Sequence, residues 1–168
     1  LICQFDSRHI LGGFKQYRNF GRTNEMVSIL GFGCMRLPVL GGDMSRIDEE
    51  SATRLIRYAI DQGLNYIDTA YPYHGKGLGK RGNSEPFLAK ALAGGYREKV
   101  KLATKLPSWM VKTRQDIDRI LFEQLERLNT NVINFYLIHG ITAETWPVLK
   151  KAGYKDFLKD MLAAGKIA

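Results

Sequence analysis

The stretch LNYIDTA, residues 64–70, decides the fold of this chain. It is a short β-rich run, and two similar runs follow it at nearly equal intervals, EKVKLATK at 98–105 and VINFYLIHG at 132–140. Segments with helical periodicity separate the three runs. Strands that alternate with helices in this way are typical of β-α-β units, so we predict a parallel sheet covered by helices.

The predicted helices carry apolar residues at steps of three and four, which places those residues on one face. The strongest pattern lies in TRQDIDRILFEQLERLN, residues 113–129, where that face is apolar except for Gln124. DEESATRLIRYAIDQG at 48–63 repeats the pattern. SEPFLAKALAGG at 84–95 is predicted to be a shorter helix with Ser84 as its N-cap.

Segments nearer the two ends of the chain bring the count to four strands, each followed by a helix. MVSILGFGCMRL at 26–37 is predicted to be a buried strand, YKDFLKDMLAAGK at 154–166 a helix, and KIA at 166–168 the start of another strand. A doubly wound sheet and a (β/α)8 barrel both fit this α/β pattern. Because the chain stops where a fifth unit would begin, and a full barrel takes about 250 residues, we predict the N-terminal half of a (β/α)8 barrel, truncated at its C-terminus.

The first residues are expected to differ from the rest. Residues 1–16 show no clear periodicity and are predicted to be a poorly ordered extension, whereas residues 17–168 are predicted to form the partial barrel. QYRNFGRTNEMVSI at 16–29 has polar turn residues between two semi-apolar runs, which favours a small β-hairpin that caps the bottom of the barrel.

The composition excludes several classes of protein. The 168 residues are 45% hydrophobic, but no run approaches the roughly 18 apolar residues of a membrane span, and no secretion signal opens the chain. We therefore expect a cytoplasmic protein without a membrane partner. Cys3 and Cys34 belong to no ligand cluster, so no metal site is expected. The net charge of +8 favours anionic partners in general, yet no nucleic-acid-binding motif accompanies it.

Groups able to handle protons or charge stand at or just beyond the ends of the three β-rich runs. Asp68 lies in the first run with Tyr73 just beyond it, Lys105 ends the second, and His139 stands at the end of the third. The carboxyl ends of barrel strands meet at one rim, where the active sites of this fold are found. We therefore expect these four side chains to converge.

These residue types fit a proton-donating unit. A phenol has an ordinary pKa of about 10, so a phenol that exchanges protons near neutrality needs a positive charge beside it. Lys105 could supply that charge, Asp68 could hold the ammonium in place, and His139 could hydrogen-bond a carbonyl oxygen. The reaction that needs one proton at an oxygen and no nucleophile is carbonyl reduction with hydride from a nicotinamide cofactor.

At these residues the chain resembles the aldo-keto reductase family. The resemblance spans about residues 17 to 168 and rests on SILGFGCMRLP, LNYIDTAYPYHG with NSEPFLAKAL, REKVKLATKLP and NVINFYLIHG. It implies an (α/β)8 barrel whose catalytic tetrad falls on Asp68, Tyr73, Lys105 and His139. It also implies NADPH as hydride donor and an aldehyde or ketone as substrate. The cofactor contacts that it implies are Gly33, Cys34 and Met35, with Asp68 beside them.

Two departures from the family pattern bear on function. Where many members have YGxSE, the longer segment HGKGLGKRGN at 74–83 stands here between Tyr73 and Ser84. The second half of the family's barrel, which grips the phosphates of the cofactor, is absent. The segments GFGCMRLP, DTAYPYHG and ATKLPSW are most similar to a bacterial or archaeal branch that often carries a C-terminal iron–sulfur segment.

The resulting prediction is an NADPH-dependent reductase of an aldehyde or ketone that is inactive as this fragment, with Tyr73 as proton donor. The alternative is a non-catalytic subunit with a reductase-like barrel that senses or binds the cofactor.

The stretch GLGKRG, residues 77–82, matches the G-x-G-x-x-G spelling of a dinucleotide-binding turn. A doubly wound nucleotide-binding domain centred on it is a third hypothesis. Against it, Gly77 lies too far beyond the strand, and Lys105 stands where an acid should bind the ribose. We interpret the segment instead as a mobile lid over the substrate entrance that favours anionic substrates through Lys76, Lys80 and Arg81.

The remaining candidates are given structural roles. His74 and His9 are predicted to be surface residues, and Trp109 is predicted either to line the pocket or to serve packing only. Cys34 is predicted to be a small buried residue near the rim rather than a nucleophile.

Overall fold

A computed structural model describes residues 16–77 and 79–168 of the chain. The predicted N-terminal extension, residues 1–16, lies outside the described residues except for Gln16. The strands are β1 (Tyr17–Asn19), β2 (Met26–Ser28), β3 (Phe32–Gly33), β4 (Tyr66–Asp68), β5 (Lys101–Pro107) and β6 (Phe135–His139). The helices are α1 (Glu49–Asp61), α2 (Ser84–Ala91), α3 (Arg114–Arg127), α4 (Thr145–Lys151) and α5 (Tyr154–Ala163). Short 3-10 turns cover Cys34–Arg36, Arg97–Lys99 and Ser108–Met110.

Strands β3 to β6 form a parallel sheet in the order β3-β4-β5-β6, which is also their order in the chain. Its register pairs Asp68 with both Gly33 and Ala103, and Pro107 with His139. The strand order of a doubly wound sheet reverses at a switch point. Within the described residues the order does not reverse, which confirms the predicted α/β fold as part of a (β/α)8 barrel.

The predicted start of a further strand is also confirmed. Ile167 forms a parallel bridge with Ile133, just before β6. The amide of Ile133 donates to the carbonyl of Lys166 at 3.0 Å, and the amide of Ala168 donates to the carbonyl of Ile133 at 3.1 Å. The last residues of the chain therefore extend the sheet beyond β6 in the same parallel sense.

One cluster of buried side chains joins the sheet to its helices. It includes Ile67 and Leu102 from the sheet, Ile56 from α1, Leu88 from α2 and Ile120 from α3. None of these five side chains is exposed to solvent. Burying a side chain of this size contributes roughly 1.5–3 kcal/mol, so this layer holds the sheet rigidly beneath its carboxyl edge.

The predicted hairpin is confirmed and lies at the amino edge of the sheet. Strands β1 and β2 pair antiparallel. The ring of Phe20, in their turn, lies 5.8 Å from the ring of Tyr66 and 4.4 Å from the ring of Phe135. Asn65 accepts from the amide of Ser28 at 2.7 Å and donates to the carbonyl of Met26 at 2.9 Å.

Two predictions about strand and helix starts are wrong. The segment 26–37 is not one buried strand: after β2 the chain bends, and Ile29 and Leu30 are 57% and 62% exposed before β3 begins. Ser84 is not an N-cap but the first residue of α2. Its buried hydroxyl lies 2.9 Å from that of Thr69 instead, because the helix start packs directly on the end of β4.

Helix α4 was not predicted, because its seven residues are too few to show a period and include Pro147. A local signal was present in Thr142 and Thr145. The amide of Thr142 donates to the hydroxyl of Thr145 at 2.9 Å, and the reciprocal bond spans 3.2 Å. Reciprocal bonds of this kind favour the start of a helix. Among the described residues, no helix has both the length and the apolar character needed to cross a membrane.

Candidate active site

The structure brings the four predicted residues together at the carboxyl edge of the sheet. Asp68 is the last residue of β4, His139 is the last residue of β6, and Lys105 lies near the end of β5 between them. Because the three strands are parallel neighbours, these ends meet at one edge. Tyr73 reaches the same place from the turn that follows β4.

Lys105 is the centre of the arrangement. Its Nζ donates to Asp68 Oδ1 at 2.6 Å, to the carbonyl of Thr69 at 2.8 Å and to Tyr73 Oη at 3.2 Å. The side chains of Lys105 and Asp68 are 14% and 28% exposed, so solvent only partly screens the pair. The ammonium therefore lies within hydrogen-bond reach of the phenol oxygen, where it can stabilise negative charge that develops during a reaction.

His139 lies against the other side of Tyr73. The two rings meet edge to face with their centroids 5.7 Å apart. Burial lowers the pKa of His139, the positive charge of Lys105 lowers it further, and Asp68 opposes the shift. The imidazole is therefore neutral around neutral pH. Its Nδ1 is buried and has no hydrogen-bond partner among the described residues.

Trp109 covers the imidazole, with its ring centroid 5.1 Å from that of His139. This close packing depends on Gly140, the residue after β6, whose φ is +68°. A Cβ at Gly140 would lie 3.0 Å from the Trp109 ring. Of the two predicted roles, lining the pocket or packing only, the contact with His139 favours the first.

A buried polar layer supports the site from below and was not predicted. Glu85 is fully buried. Its carboxylate accepts from Thr104 Oγ1 at 2.8 Å, from Gln124 Nε2 at 2.8 Å and from Arg127 Nε at 2.9 Å. Gln124 Nε2 also lies 3.2 Å from the carbonyl of Lys105. The only sequence signal for this layer was the polar Gln124 on the otherwise apolar face of α3.

The loop predicted to contact the nicotinamide begins where β3 ends, beside Asp68. Cys34 is fully buried, as predicted, and burial raises the pKa of its thiol, with a further rise from Asp68. Met35 is 46% exposed. Apart from Gly33 and its chain neighbours, no atom of the described residues lies within 4 Å of the place where a Cβ on Gly33 would stand. This open backbone next to Asp68 fits a flat ring laid across the edge of the sheet.

The prediction that His74 is a surface residue is wrong. His74 is 3% exposed. Its imidazole hydrogen-bonds the backbone at Leu37 and at Met44, two residues of the segment between β3 and α1. These contacts are distant in sequence, so the local pattern around Tyr73 carried no sign of them. The other predicted surface histidine, His9, lies outside the described residues.

Backbone hydrogen bonds hold together the two ends of the segment predicted to be a lid. They join residues 73–74 to residues 83–84 and form what we call the closed neck. The amide of Asn83 donates to the carbonyl of His74 at 3.2 Å, and the amide of Ser84 donates to the carbonyl of Tyr73 at 3.1 Å. Gly82 packs so tightly there that a Cβ would lie 1.9 Å from the Tyr73 carbonyl oxygen. The segment does not join a strand directly to a helix, so it is not a dinucleotide-binding turn.

Beyond the neck, Arg81 turns towards α3. Its guanidinium donates to Glu123 at 2.8 Å and to the hydroxyl of Tyr71 at 3.1 Å. An open cavity of about 400 Å³ lies beside the segment, with Ser45, His74, Lys76, Lys80, Arg81 and Asn83 among its lining residues. That the segment acts as a lid selecting anionic substrates stays a prediction.

Comparison with known proteins gives a consistent result. The model of the aldo/keto reductase family matches residues 29–168. The chain is 29% identical over 168 residues to the 6-dehydroglucose reductase of Novosphingobium aromaticivorans, a match that covers 88% of this chain and 54% of that protein. It is 31% identical over 163 residues to aldo-keto reductase YhdN of Bacillus subtilis, covering 90% of this chain and 45% of that protein.

Among solved structures, the holo form of aldo-keto reductase AKR11C1 from Bacillus halodurans superimposes with a TM-score of 0.70 at 29% identity. That match covers 91% of this chain and 48% of the other chain. The chain therefore spans about half the length of the relatives it matches.

Proposed function

The chain belongs to the aldo/keto reductase family, and from this premise we propose that the full protein reduces an aldehyde or ketone to an alcohol with hydride from NADPH. The observation that carries the proposal is the position of Lys105 Nζ, 2.6 Å from Asp68 Oδ1 and 3.2 Å from Tyr73 Oη. A phenol held beside a paired ammonium is a proton donor whose conjugate base is stabilised in place.

In the proposed mechanism, Tyr73 delivers its proton to the carbonyl oxygen of the substrate. Lys105 stabilises the phenolate that remains, and Asp68 keeps the ammonium aimed at the phenol. The neutral ring of His139 directs an N–H at the same carbonyl oxygen, which orients the substrate and polarises the bond.

NADPH, when bound, supplies the hydride for the carbonyl carbon. Gly33, Cys34 and Met35 would hold its nicotinamide ring beside Asp68, which is the register partner of Gly33. The net charge of +8 supports an anionic cofactor in general. We infer NADPH rather than NADH from the family, and a comparison of the two donors with one substrate tests that choice.

The test is the loss of NADPH absorbance when the full-length gene product meets a panel of aldehydes and ketones. We expect turnover, and we expect Tyr73→Phe to lower kcat by about 10²–10⁴-fold, the range of general acid catalysis. Tyr96→Phe is the matched control, because this tyrosine donates its hydroxyl to Asp61 instead, at 3.0 Å. Its kcat should stay near that of the wild type.

Two outcomes would count against the proposed function. Equal activity in Tyr73→Phe and the wild type would show that Tyr73 is not the proton donor. Tight NADPH binding with no turnover of any carbonyl would favour the non-catalytic, cofactor-sensing alternative. Residues 17–168 alone are proposed to be inactive, because the relatives they match are about twice as long.

A further inference from the structure

His74 occupies an unusual backbone position next to Tyr73. Its φ is +59°, in the left-handed region that non-glycine residues rarely adopt. Its side chain is nevertheless almost completely buried. A glycine would accept this backbone more readily. We therefore expect the hydrogen bonds of the imidazole to be the reason that a histidine stands here.

The imidazole joins two segments of the chain. The amide of Leu37 points at Nε2 from 3.3 Å, and the carbonyl of Met44 lies 2.7 Å from Nδ1. An amide can only donate and a carbonyl can only accept. The network therefore assigns a neutral ring with its proton on Nδ1, accepting from Leu37 and donating to Met44.

The two joined segments carry the groups that the proposed reaction must keep at a fixed distance from each other. Leu37 directly follows the turn Cys34–Arg36, which begins at the proposed nicotinamide contacts. On the other side, His74 is bonded covalently to Tyr73. A second tie runs in parallel, because the side-chain amide of Asn83 donates to the carbonyl of Ser45 at 2.8 Å.

We propose that His74 is a positioning residue that sets the distance between the proton donor and the nicotinamide-binding loop. This inference rests on the proposed function. Proton and hydride must reach the oxygen and the carbon of the same carbonyl group, and a misplacement of about 1 Å lowers rates about 10²-fold. The imidazole fixes that separation by holding the backbone of both segments at once.

The test replaces His74 by glycine in the full-length protein. Glycine accepts the left-handed backbone, so His74→Gly removes both ring hydrogen bonds without adding strain. We expect kcat to fall about 10- to 100-fold while the KM of the carbonyl substrate changes less. Because His74 also lines the open cavity, added imidazole should enter the space and restore part of the lost kcat.

Asn129→Gly is the matched control. Asn129 is exposed just beyond the end of α3 and has a φ of +47°. Asn129→Gly therefore also introduces a glycine at a left-handed position, but away from the site. We expect its kcat to match that of the wild type. Amide hydrogen exchange at Leu37 should become faster in His74→Gly and stay unchanged in Asn129→Gly.

The outcomes separate this inference from the proposed function. A His74→Gly enzyme within twofold of the wild-type kcat would overturn the inference, and so would unchanged exchange at Leu37. If the wild type binds NADPH but reduces no carbonyl, the proposed function fails. The role of His74 is then tested by two other measurements. In His74→Gly, amide exchange at Leu37 should become faster and the affinity for NADPH should fall. Failure of NADPH to bind the wild type would overturn both.

Discussion

The two edges of the parallel sheet use polar side chains in opposite ways. At the amino edge, Arg97 donates four hydrogen bonds, to the carbonyls of Val100 and Val132 and to the side chains of Thr130 and Asn134. At the carboxyl edge, Lys105 and Asp68 pair with each other and keep 14% and 28% of their side chains exposed to solvent.

The difference shows how one sheet separates stability from chemistry. Polar groups at the amino edge tie chain segments together, so removing Arg97 takes one donor from each of four part-buried acceptors. Polar groups at the carboxyl edge face one another and partly face solvent, so they stay available to a substrate. Substitutions at the first edge should change the free energy of unfolding, and substitutions at the second should change kcat.

Among the variants that compare the two edges, the largest effect is expected for Lys105→Met. Loss of the ammonium between Asp68 and Tyr73 should lower kcat about 10²–10³-fold, equivalent to about 3–4 kcal/mol of activation free energy. The free energy of unfolding should change by only about 1 kcal/mol, because both members of the ion pair are partly exposed. Steady-state kinetics and urea denaturation of the full-length protein measure the two quantities.

Lys101→Met is the control for that prediction, because Lys101 begins the same strand and pairs with Glu25 at the opposite edge. It should leave kcat unchanged. A similar loss of kcat in the two lysine variants would contradict the contrast between the edges.

Arg97→Met should show the reverse pattern with a slightly smaller effect. We expect the free energy of unfolding to fall by about 2–3 kcal/mol, since four part-buried acceptors lose the donor that joins them. The kcat of the folded enzyme should stay within about threefold. Arg97→Lys tests the geometry, because an ammonium cannot reproduce the fork of the guanidinium. An unchanged denaturation midpoint in Arg97→Met would show that these bonds contribute little.

The smallest effect concerns the pH dependence due to His139. Burial lowers the pKa of His139 below the ordinary value of 6.5, so an NMR titration should show more than half of the imidazole neutral at that pH. As the pH falls from the ordinary value through the lowered one, the unfolded chain binds the proton before the folded chain does. Stability should therefore fall across this window and level off below it. His139→Gln should remove this part of the profile, and a ring pKa above 6.5 would reverse its sign.

The sequence was sufficient where function and fold depend on local pattern. Alternating strands and helices predicted the parallel order, and the strand ends predicted that Asp68, Lys105 and His139 would meet. The burial of His74 and the carboxylate of Glu85 were missed, because both depend on partners far away in the chain. Helix α4 was missed for a local reason, because its seven residues are too few to show a helical period.

The closed neck beneath Tyr73 has a consequence for protein engineering. Backbone hydrogen bonds and the close approach of Gly82 seal the chain before residues 76–81 begin. We therefore expect that sequence inserted beyond that seal leaves the position of the phenol unchanged. Loops of varied length or a foreign recognition peptide should be accepted between Lys76 and Lys80, provided that Arg81, which bonds Tyr71 and Glu123, and Gly82 are kept.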